Sequence, residues 1–343
     1  MELLVLINRY SPLLISVAAT VAFTLFLPHP WAILMIIISG GLALTGVMDL
    51  AQPEHSVRRN YPLVGRLRWL FESVRPAIRQ YLVEGDQEQT PFSRSQRSLV
   101  YARAKNEISD RPFGTLVDVY RNGYEFIAHS TRPGPVADPA SFRVLIGGAD
   151  CAQPYPASVF NISAMSFGAL SANAIRALNK GAKRGGFAHD TGEGSISRYH
   201  REHGGDLIWE IGSGYFGCRT DEGGFDPVRF AEQASDPQVK MIELKLSQGA
   251  KPGMGGILPA AKITVEISET RGIPRGRDCI SPSRHSAFST PIELMQFIGE
   301  LRKLSGGKPV GFKLCIGQPW EFMGVVKAML ETNILPDYIV VDG

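Results

Sequence analysis

Cysteine is scarce in this chain. Its 343 residues hold four, Cys151, Cys218, Cys279 and Cys315, and no two of them form a CxxC or CxxH pair. That excludes a local Cys-based zinc signature and a redox dithiol, and so few thiols cannot staple a chain of this length. They are expected to be reduced, in a cytosol-facing domain. An excess of one charge is missing as well. Lys plus Arg number 36 against 33 Asp plus Glu, a formal net charge of +3, which argues against a nucleic-acid binder. His189, His200, His203 and His285 show no HxxxH spacing with a third ligand, so loop or pocket roles suit them better than metal binding. With 44% hydrophobic and 20% charged residues, the chain is neither disordered nor a many-pass membrane protein.

Charge is absent altogether between Arg9 and Asp49, with His29 counted as neutral. Two apolar runs, 12–27 and 32–48, flank Pro28-His29-Pro30. A spanning helix needs about 20 apolar residues, within a range of about 17–25, and each run falls at or just below the lower end. Proline removes backbone donors and ends helices, and Trp31 at the turn suits an interface. Residues 1–52 are therefore expected to form a transmembrane helical hairpin. Arg58, Arg59, Arg66 and Arg68 follow it, which places the remaining chain in the cytoplasm. A buried core hairpin, or one tilted span with an interfacial piece, are the alternatives. A cleaved signal peptide is excluded by the length of the run and the lack of a basic n-region.

Residues 53–150 read as a helical and β-hairpin linker region. Leu63, Leu67, Leu70, Phe71, Val74, Ile78 and Leu82 recur at three to four residues, an amphipathic helix that Pro76 would break or kink. Thr115 to Ser130 flanks Asn122-Gly123 with two alternating runs, the pattern of a β-hairpin. From about residue 157 apolar β-type runs alternate with helix-type runs, as in a parallel sheet covered on both faces. Polar and glycine-rich residues cluster just after the strands, where an α/β barrel places its active site. The fold class is thus α/β, a TIM (β/α)8-type barrel over 151–343. Strands are expected near 160, 187, 208, 243, 312 and 339, about six where a barrel needs eight. The barrel is therefore expected to be incomplete, truncated after a strand, with an exposed edge after Val341.

Four motifs carry a resemblance: NISAMSFGALS at 161–171, DTGEG at 190–194, KLSQGAKPGMGG at 245–256 and ISPSRH at 280–285. Together, over about 110–343, they resemble the FMN-binding barrel domain of glutamate synthase. They resemble more closely the short, membrane-anchored bacterial proteins of the FMN-binding glutamate synthase family. That resemblance implies FMN at the C-terminal ends of the barrel strands, with the SAMSFGALS run along the flavin. The matching positions are Ala164, Met165, Ser166 and Gly168. Read from the residues alone, the same run is a strand followed by a Ser171 N-cap.

Lys245 and Lys313 sit near the ends of apolar strands, where a lysine is costly to bury without a partner. The resemblance makes each a contact for the N1/C2-carbonyl edge of the flavin. The alternative is a buried ion pair with Glu243 or another carboxylate. Glu193, Gln248, Lys251 and Arg271 match positions that bind 2-oxoglutarate, with Glu193 and Lys251 expected to be catalytic and Gln248 also near the cofactor. Two cations suit a dicarboxylate, although Lys251 and Arg271 also read as solvated surface charges. Glutamate synthases typically carry Glu and Gln where Met254 and Ile257 stand here, so the pocket is partly apolar and 2-oxoglutarate is put in question.

The resemblance further implies ammonia and a keto acid as substrates, a separate electron donor and a two-pass protein of the bacterial inner membrane. Oligomeric state, including a homo-oligomer, is left open. A glutaminase domain with an N-terminal cysteine is lacking, and the four cysteines do not match the spacing of the family's iron–sulfur ligands, so no cluster is expected. Gly212 to Gly217 fits GxGxxG, but no helix-forming sequence follows, which argues against a dinucleotide site. Three readings stand: a glutamate synthase-type FMN oxidoreductase, an FMN oxidoreductase for another keto or hydroxy acid, and a non-catalytic truncated fragment.

Overall fold

The computed structural model describes residues 2–26, 30–85, 92–107, 118–126, 128, 130–138, 141–250 and 255–343. The chain divides into two compact units, Met1–Thr131 and Arg132–Gly343.

In the first unit, helices α1 (Glu2–Phe26) and α2 (Pro30–Ala51) pack against each other. Within them, Arg9–Phe26 and Trp31–Ala51 are long and apolar enough to cross a membrane by length and composition. Their apolar side chains mostly face outward, Leu14, Ile15, Val21, Leu25, Ile33, Ile37 and Leu44 among them. Thr20, Thr24, Ser39 and Thr45 each donate to the carbonyl one turn earlier, so these hydroxyls cost nothing on an apolar surface. A Cβ on Gly46 would come within 2.7 Å of Leu13 Cδ1, so the glycine is what lets the helices approach. Leu27, Pro28 and His29 of the expected turn lie outside the described residues.

Asp49, in the last turn of α2, is buried and takes a forked ion pair from Arg66, with Nη2–Oδ1 at 2.7 Å and Nε–Oδ2 at 2.9 Å. It also accepts from the Leu63 backbone N–H at 3.2 Å. Those bonds fold α3 (Ser56–Asn60) and α4 (Val64–Ile78) back to the end of α2. The helix expected over residues 62–84 is α4, and it runs through Pro76 instead of ending there. The ring deprives the Glu72 carbonyl of its donor, and the chain passes three residues later into a π-type turn, Arg79–Val83. Helix α5 (Arg94–Ala104) opens on a Ser93/Gln96 capping box.

The β-hairpin expected around Asn122-Gly123 does not form among residues 118–126, while Thr115, Leu116 and Val117 lie outside the described residues. Tyr124 N–H bonds Arg121 C=O at 3.2 Å with only Gly123 at positive φ, +82°. A two-residue hairpin of the favoured type needs positive φ at both central positions; a turn with one splays its flanks.

The second unit starts with an antiparallel pair, β1 (Arg143–Ile146) and β2 (Tyr155–Ser158). Helices and strands then alternate: α6 (Ala172–Gly185), β3 (His189–Asp190), α7 (Arg198–Arg201), β4 (Leu207–Ile211), α8 (Pro227–Ala234) and β5 (Val239–Lys245). An insertion follows, an antiparallel pair β6 (Ile257–Leu258) and β7 (Cys279–Ile280) around α9 (Val265–Arg271). The alternation resumes with α10 (Pro291–Leu304), β8 (Val310–Leu314), α11 (Pro319–Thr332) and β9 (Ile339–Val341). Local chemistry sets these bounds. Ser171 caps α6 and a left-handed Gly186 ends it, Asp226-Pro227 opens α8, and Thr290 with Glu293 forms a capping box on α10.

The sheet order is β3-β4-β5-β8-β9, all parallel. Ile162 adds a parallel bridge to His189. Six parallel positions therefore stand where the alternation placed them. Alternate residues divide the sheet. Leu207, Trp209 and Ile211, Ile242 and Leu244, and Val310, Phe312 and Leu314 pack under α8, α10 and α11. The opposite face carries Ile208 and Met241, then Asp190, Glu210, Glu243 and Lys313. The carboxylates of Asp190, Glu210 and Glu243 come within 4.8 Å of one another although they start on three successive strands. Strands lie about 4.8 Å apart, so outer members of a flat trio would stand about 10 Å apart. Their convergence marks a curled sheet, part of a barrel wall.

Arg302 of α10 and Asp337, both buried, pair at 3.0 Å. Asp337 also accepts from Val310 N–H and Gly148 N–H, each at 2.8 Å. The one carboxylate ties a helix, β8 and the β1–β2 connection together. Asp337→Ala would leave the guanidinium buried and uncompensated, at a cost of about 3–5 kcal/mol. Urea unfolding of the variant should show that loss, and a change under about 1 kcal/mol would contradict this role.

Candidate functional site

Loops at the C-terminal ends of β3, β4 and β5 meet the inserted segment around a cavity of about 150 Å³. Glu193, Ser213, Lys245, Gln248, Gly256 and Ser283 line it. Lys245 stands 3.1 Å from Glu193 Oε1 and also donates to Gln248 Oε1. Lys245 thus bridges Glu193 and Gln248, all three singled out from sequence. Small residues make this possible. A Cβ on Gly212 would come within 2.9 Å of Glu193 Cβ, and one on Gly256 within 3.2 Å of Glu193 Oε1.

The DTGEG loop packs against the AMSFG segment in the same way. Gly192 has φ +65°, and a Cβ there would meet Ser166 N at 2.6 Å. A Cβ on Gly194 would lie 3.0 Å from the Phe167 carbonyl oxygen. Gly168, at φ +102°, turns the chain away. Met165 is exposed, and Ala164 and Ser166 are half-buried.

His285 packs behind the cavity-lining residues, bonded to the Lys245 backbone. It is buried, which lowers its pKa, so the ring is neutral. Its Nε2 lies 2.8 Å from the Lys245 carbonyl oxygen and so carries the proton. Its Nδ1 then accepts from the Tyr215 hydroxyl at 3.1 Å, while Tyr215 Oη accepts from Ala287 N–H. Tyr215 belongs to the GxGxxG run, and no helix opens there; α8 begins only at Pro227.

Lys313 does not reach this cavity. It points into the sheet's inner face, ion-paired with Glu210 and, at 3.3 Å, with Glu243. Burial disfavours its charge, but Glu210, Glu243 and Asp190 outweigh that and raise its pKa. Three carboxylates outnumber one ammonium. Asp190 is raised well above its ordinary value by burial and by Glu243 and Glu210, and Glu243 is pushed to about 7 by burial, with Lys313 opposing. Lys313 and Ala164 also border a larger open cavity of about 450 Å³, together with Ser163, Asp190 and Glu243.

Arg271, at the end of α9, is buried beside the DTGEG loop, near Gly194, and does not line the Glu193 cavity. It donates to the Phe167 carbonyl at 3.1 Å, lies over the Phe216 ring at 5.1 Å and stands 3.3 Å from where a Gly168 Cβ would be. Its Nε has no partner, and no carboxylate pairs with it among the described residues. Cys279 is beside it; burial raises that thiol's pKa and Arg271 opposes the rise. Ile257 is exposed in β6, while Lys251 and Met254 lie outside the described residues.

Asp190 and Glu210 escaped sequence reasoning. The available signal was the one that singled out the lysines, a charge inside an apolar strand, since Glu210 interrupts LIWEI as Lys313 interrupts VGFKL.

Residues 150–343 match the conserved region in glutamate synthase. The glutamate synthase large subunit-like protein YerD of Bacillus subtilis is 34% identical, over 87% of this chain and 64% of its own length. The archaeal-type glutamate synthase (NADPH) of Thermotoga maritima is 36% identical, over 53% of this chain and 32% of its own. The archaeal glutamate synthase (NADPH) of Methanocaldococcus jannaschii is 34% identical, over 53% and 32%. The chain spans less than two thirds of the length of each of these relatives.

The raised pKa of Glu243 has a signed consequence. The folded state holds this proton up to about pH 7, whereas an ordinary glutamate releases it near 4.5. The folded state therefore binds more protons in that window, and its stability through this group falls as pH rises across it. Glu243→Gln should flatten that part of the stability–pH curve in denaturant unfolding. An unchanged slope would mean that Glu243 is ionised throughout.

Proposed function

The chain belongs to the glutamate synthase family, and from that premise we propose that it is an FMN-dependent oxidoreductase that reduces an imine formed from ammonia and a 2-keto acid. In this reading the keto acid is 2-oxoglutarate, the product is glutamate, and electrons come from a separate donor. The observation that carries the proposal is the contact of Glu193, Lys245 and Gln248 around one cavity at the strands' C-terminal ends.

The residues present fit the cofactor. Ala164 and Ser166 leave a small-residue edge beside the exposed Met165, and Gly192 and Gly194 let the two loops approach closely. Lys245 supplies a cation at the strand ends, which suits a ring whose N1/C2 edge becomes negative on reduction, whereas Lys313 is already paired with Glu210 and Glu243. Bound there, FMN supplies the hydride for the imine carbon. The protein's own groups do the rest. Gln248 and Lys245 donate hydrogen bonds, and Glu193 takes and returns the proton that moves when ammonia adds and water leaves. Arg271, whose Nε is unpaired, is assigned with Lys251 to the two carboxylates of the acid, which requires it to leave the Phe167 carbonyl and enter the Glu193 cavity that it does not line in this structure. Met254 and Ile257 favour a second reading, an FMN oxidoreductase for a keto or hydroxy acid with a more apolar tail.

Residues 1–52 are proposed as a two-pass anchor in the bacterial inner membrane, with the catalytic unit in the cytoplasm. Reporter fusions at Trp31 and Gln52 should give opposite sides, and the same side from both would reject it.

Arg271→Ala should weaken keto-acid binding about 30-fold or more, since losing a charged partner of a bound anion costs about 2–5 kcal/mol. The visible flavin spectrum of the purified holoprotein should stay nearly unchanged, whereas Lys245→Ala should shift it or loosen the cofactor. Intact turnover of every keto acid tested with the Arg271 variant would reject this substrate site. A purified protein without flavin absorption would reject the cofactor.

A further inference from the structure

We propose that α4 and the turn after it lie flat on an anionic phospholipid surface, apolar side down, at the cytoplasmic face of the membrane that α1 and α2 cross. The proposal rests on reading α1 and α2 as membrane spans.

Leu67, Leu70, Phe71, Val74 and Ile78 are all exposed, Phe71 at 63% and Leu70 at 55%. At about 100° per residue these five fall within a single arc of roughly 100°. Tyr81, Leu82 and Val83 continue the exposed apolar surface past the helix. Arg68, Arg75 and Arg79 flank the arc on one side and Arg66 on the other. Between residues 56 and 79 there are six arginines against one carboxylate, Glu72. A wide apolar stripe edged by arginine is the pattern of a helix that lies in a membrane interface.

Geometry within the first unit sets the depth. The Asp49–Arg66 pair and the Leu63 N–H to Asp49 bond tie the first turn of α4 to the last turn of α2. Arg9, where the first candidate span opens, lies over the Tyr61 ring at 5.6 Å, and Arg58 over Trp69 at 4.7 Å. Arginine paired with Tyr and Trp belongs at headgroup level. Charge complementarity then selects the occupant. An arginine-edged face beside a lipid surface meets the negative leaflet, whereas an apolar groove on a protein would not need the arginines.

The test is hydrogen exchange on the full-length chain in nanodiscs of phosphatidylcholine alone or mixed with phosphatidylglycerol. Amides of residues 64–83 should exchange more slowly in the anionic discs, and high salt should erase the difference. Replacing Arg68, Arg75 and Arg79 by Gln should cut the protection by about five-fold per arginine. Leu70→Glu with Phe71→Glu should remove it in both lipids. Equal exchange of 64–83 in both discs, or protection indifferent to the three arginines, overturns the proposal. Residues 9–26 and 31–51 are read in the same runs. Protection of these in both lipids with no response of 64–83 sinks only the interfacial helix. Free exchange of these with anionic protection of 64–83 sinks only the spans.

Discussion

One buried lysine surrounded by carboxylates organises the second unit. Lys313 lies on the inner face of β8, and its partners come from β4 and β5, with Asp190 of β3 alongside. A desolvated ammonium tolerates few arrangements, because leaving it without a counter-charge costs several kcal/mol. Holding it between Glu210 and Glu243 draws the inner faces of those strands together and so requires the curl. It also fixes register. Lys313 is directly opposite Lys245 across the β5–β8 ladder, and a slip of β8 by one residue would send Lys313 to the helix side, away from its carboxylates.

The architecture was legible in the sequence because it follows from period alone. Apolar runs broken by capping residues place strands near 187, 208, 243, 312 and 339, where β3, β4, β5, β8 and β9 stand, and the bridge at Ile162 stands for the one near 160. The grouping of Glu193, Lys245 and Gln248 was legible too, since all three follow strands that end on one rim. What stayed hidden depends on contacts between distant segments. Glu243 is the carboxylate that the ion-pair alternative names for Lys313, but nothing in GFKLCIG tells that Glu210 and Asp190 join it. Nothing near Arg271 says that it enters behind the DTGEG loop, under Gly168 and Gly194, instead of lining the Glu193 cavity. Asn122-Gly123 reports only a turn, and the turn forms with Gly123 alone of the two at positive φ, while much of the expected flanking strands lies outside the described residues.

Both units use buried charge in the same way. Asp49–Arg66 closes the end of α2 onto α4, and Arg302–Asp337 binds α10 to β8. Such pairs are weak evidence of stability, since an apolar replacement often does as well, but each permits one geometry and penalises its neighbours. The Lys245–Glu193 pair differs in degree. Its side chains keep 12% and 21% of their exposure, against 9% and 1% for Lys313 and Glu210. Water can reach it, so separating these partners costs less than separating the inner ones. The two lysines, adjacent in the ladder, are buried almost equally; it is the exposure of Glu193 against Glu210 that lets the rim pair separate while the inner cluster holds the wall.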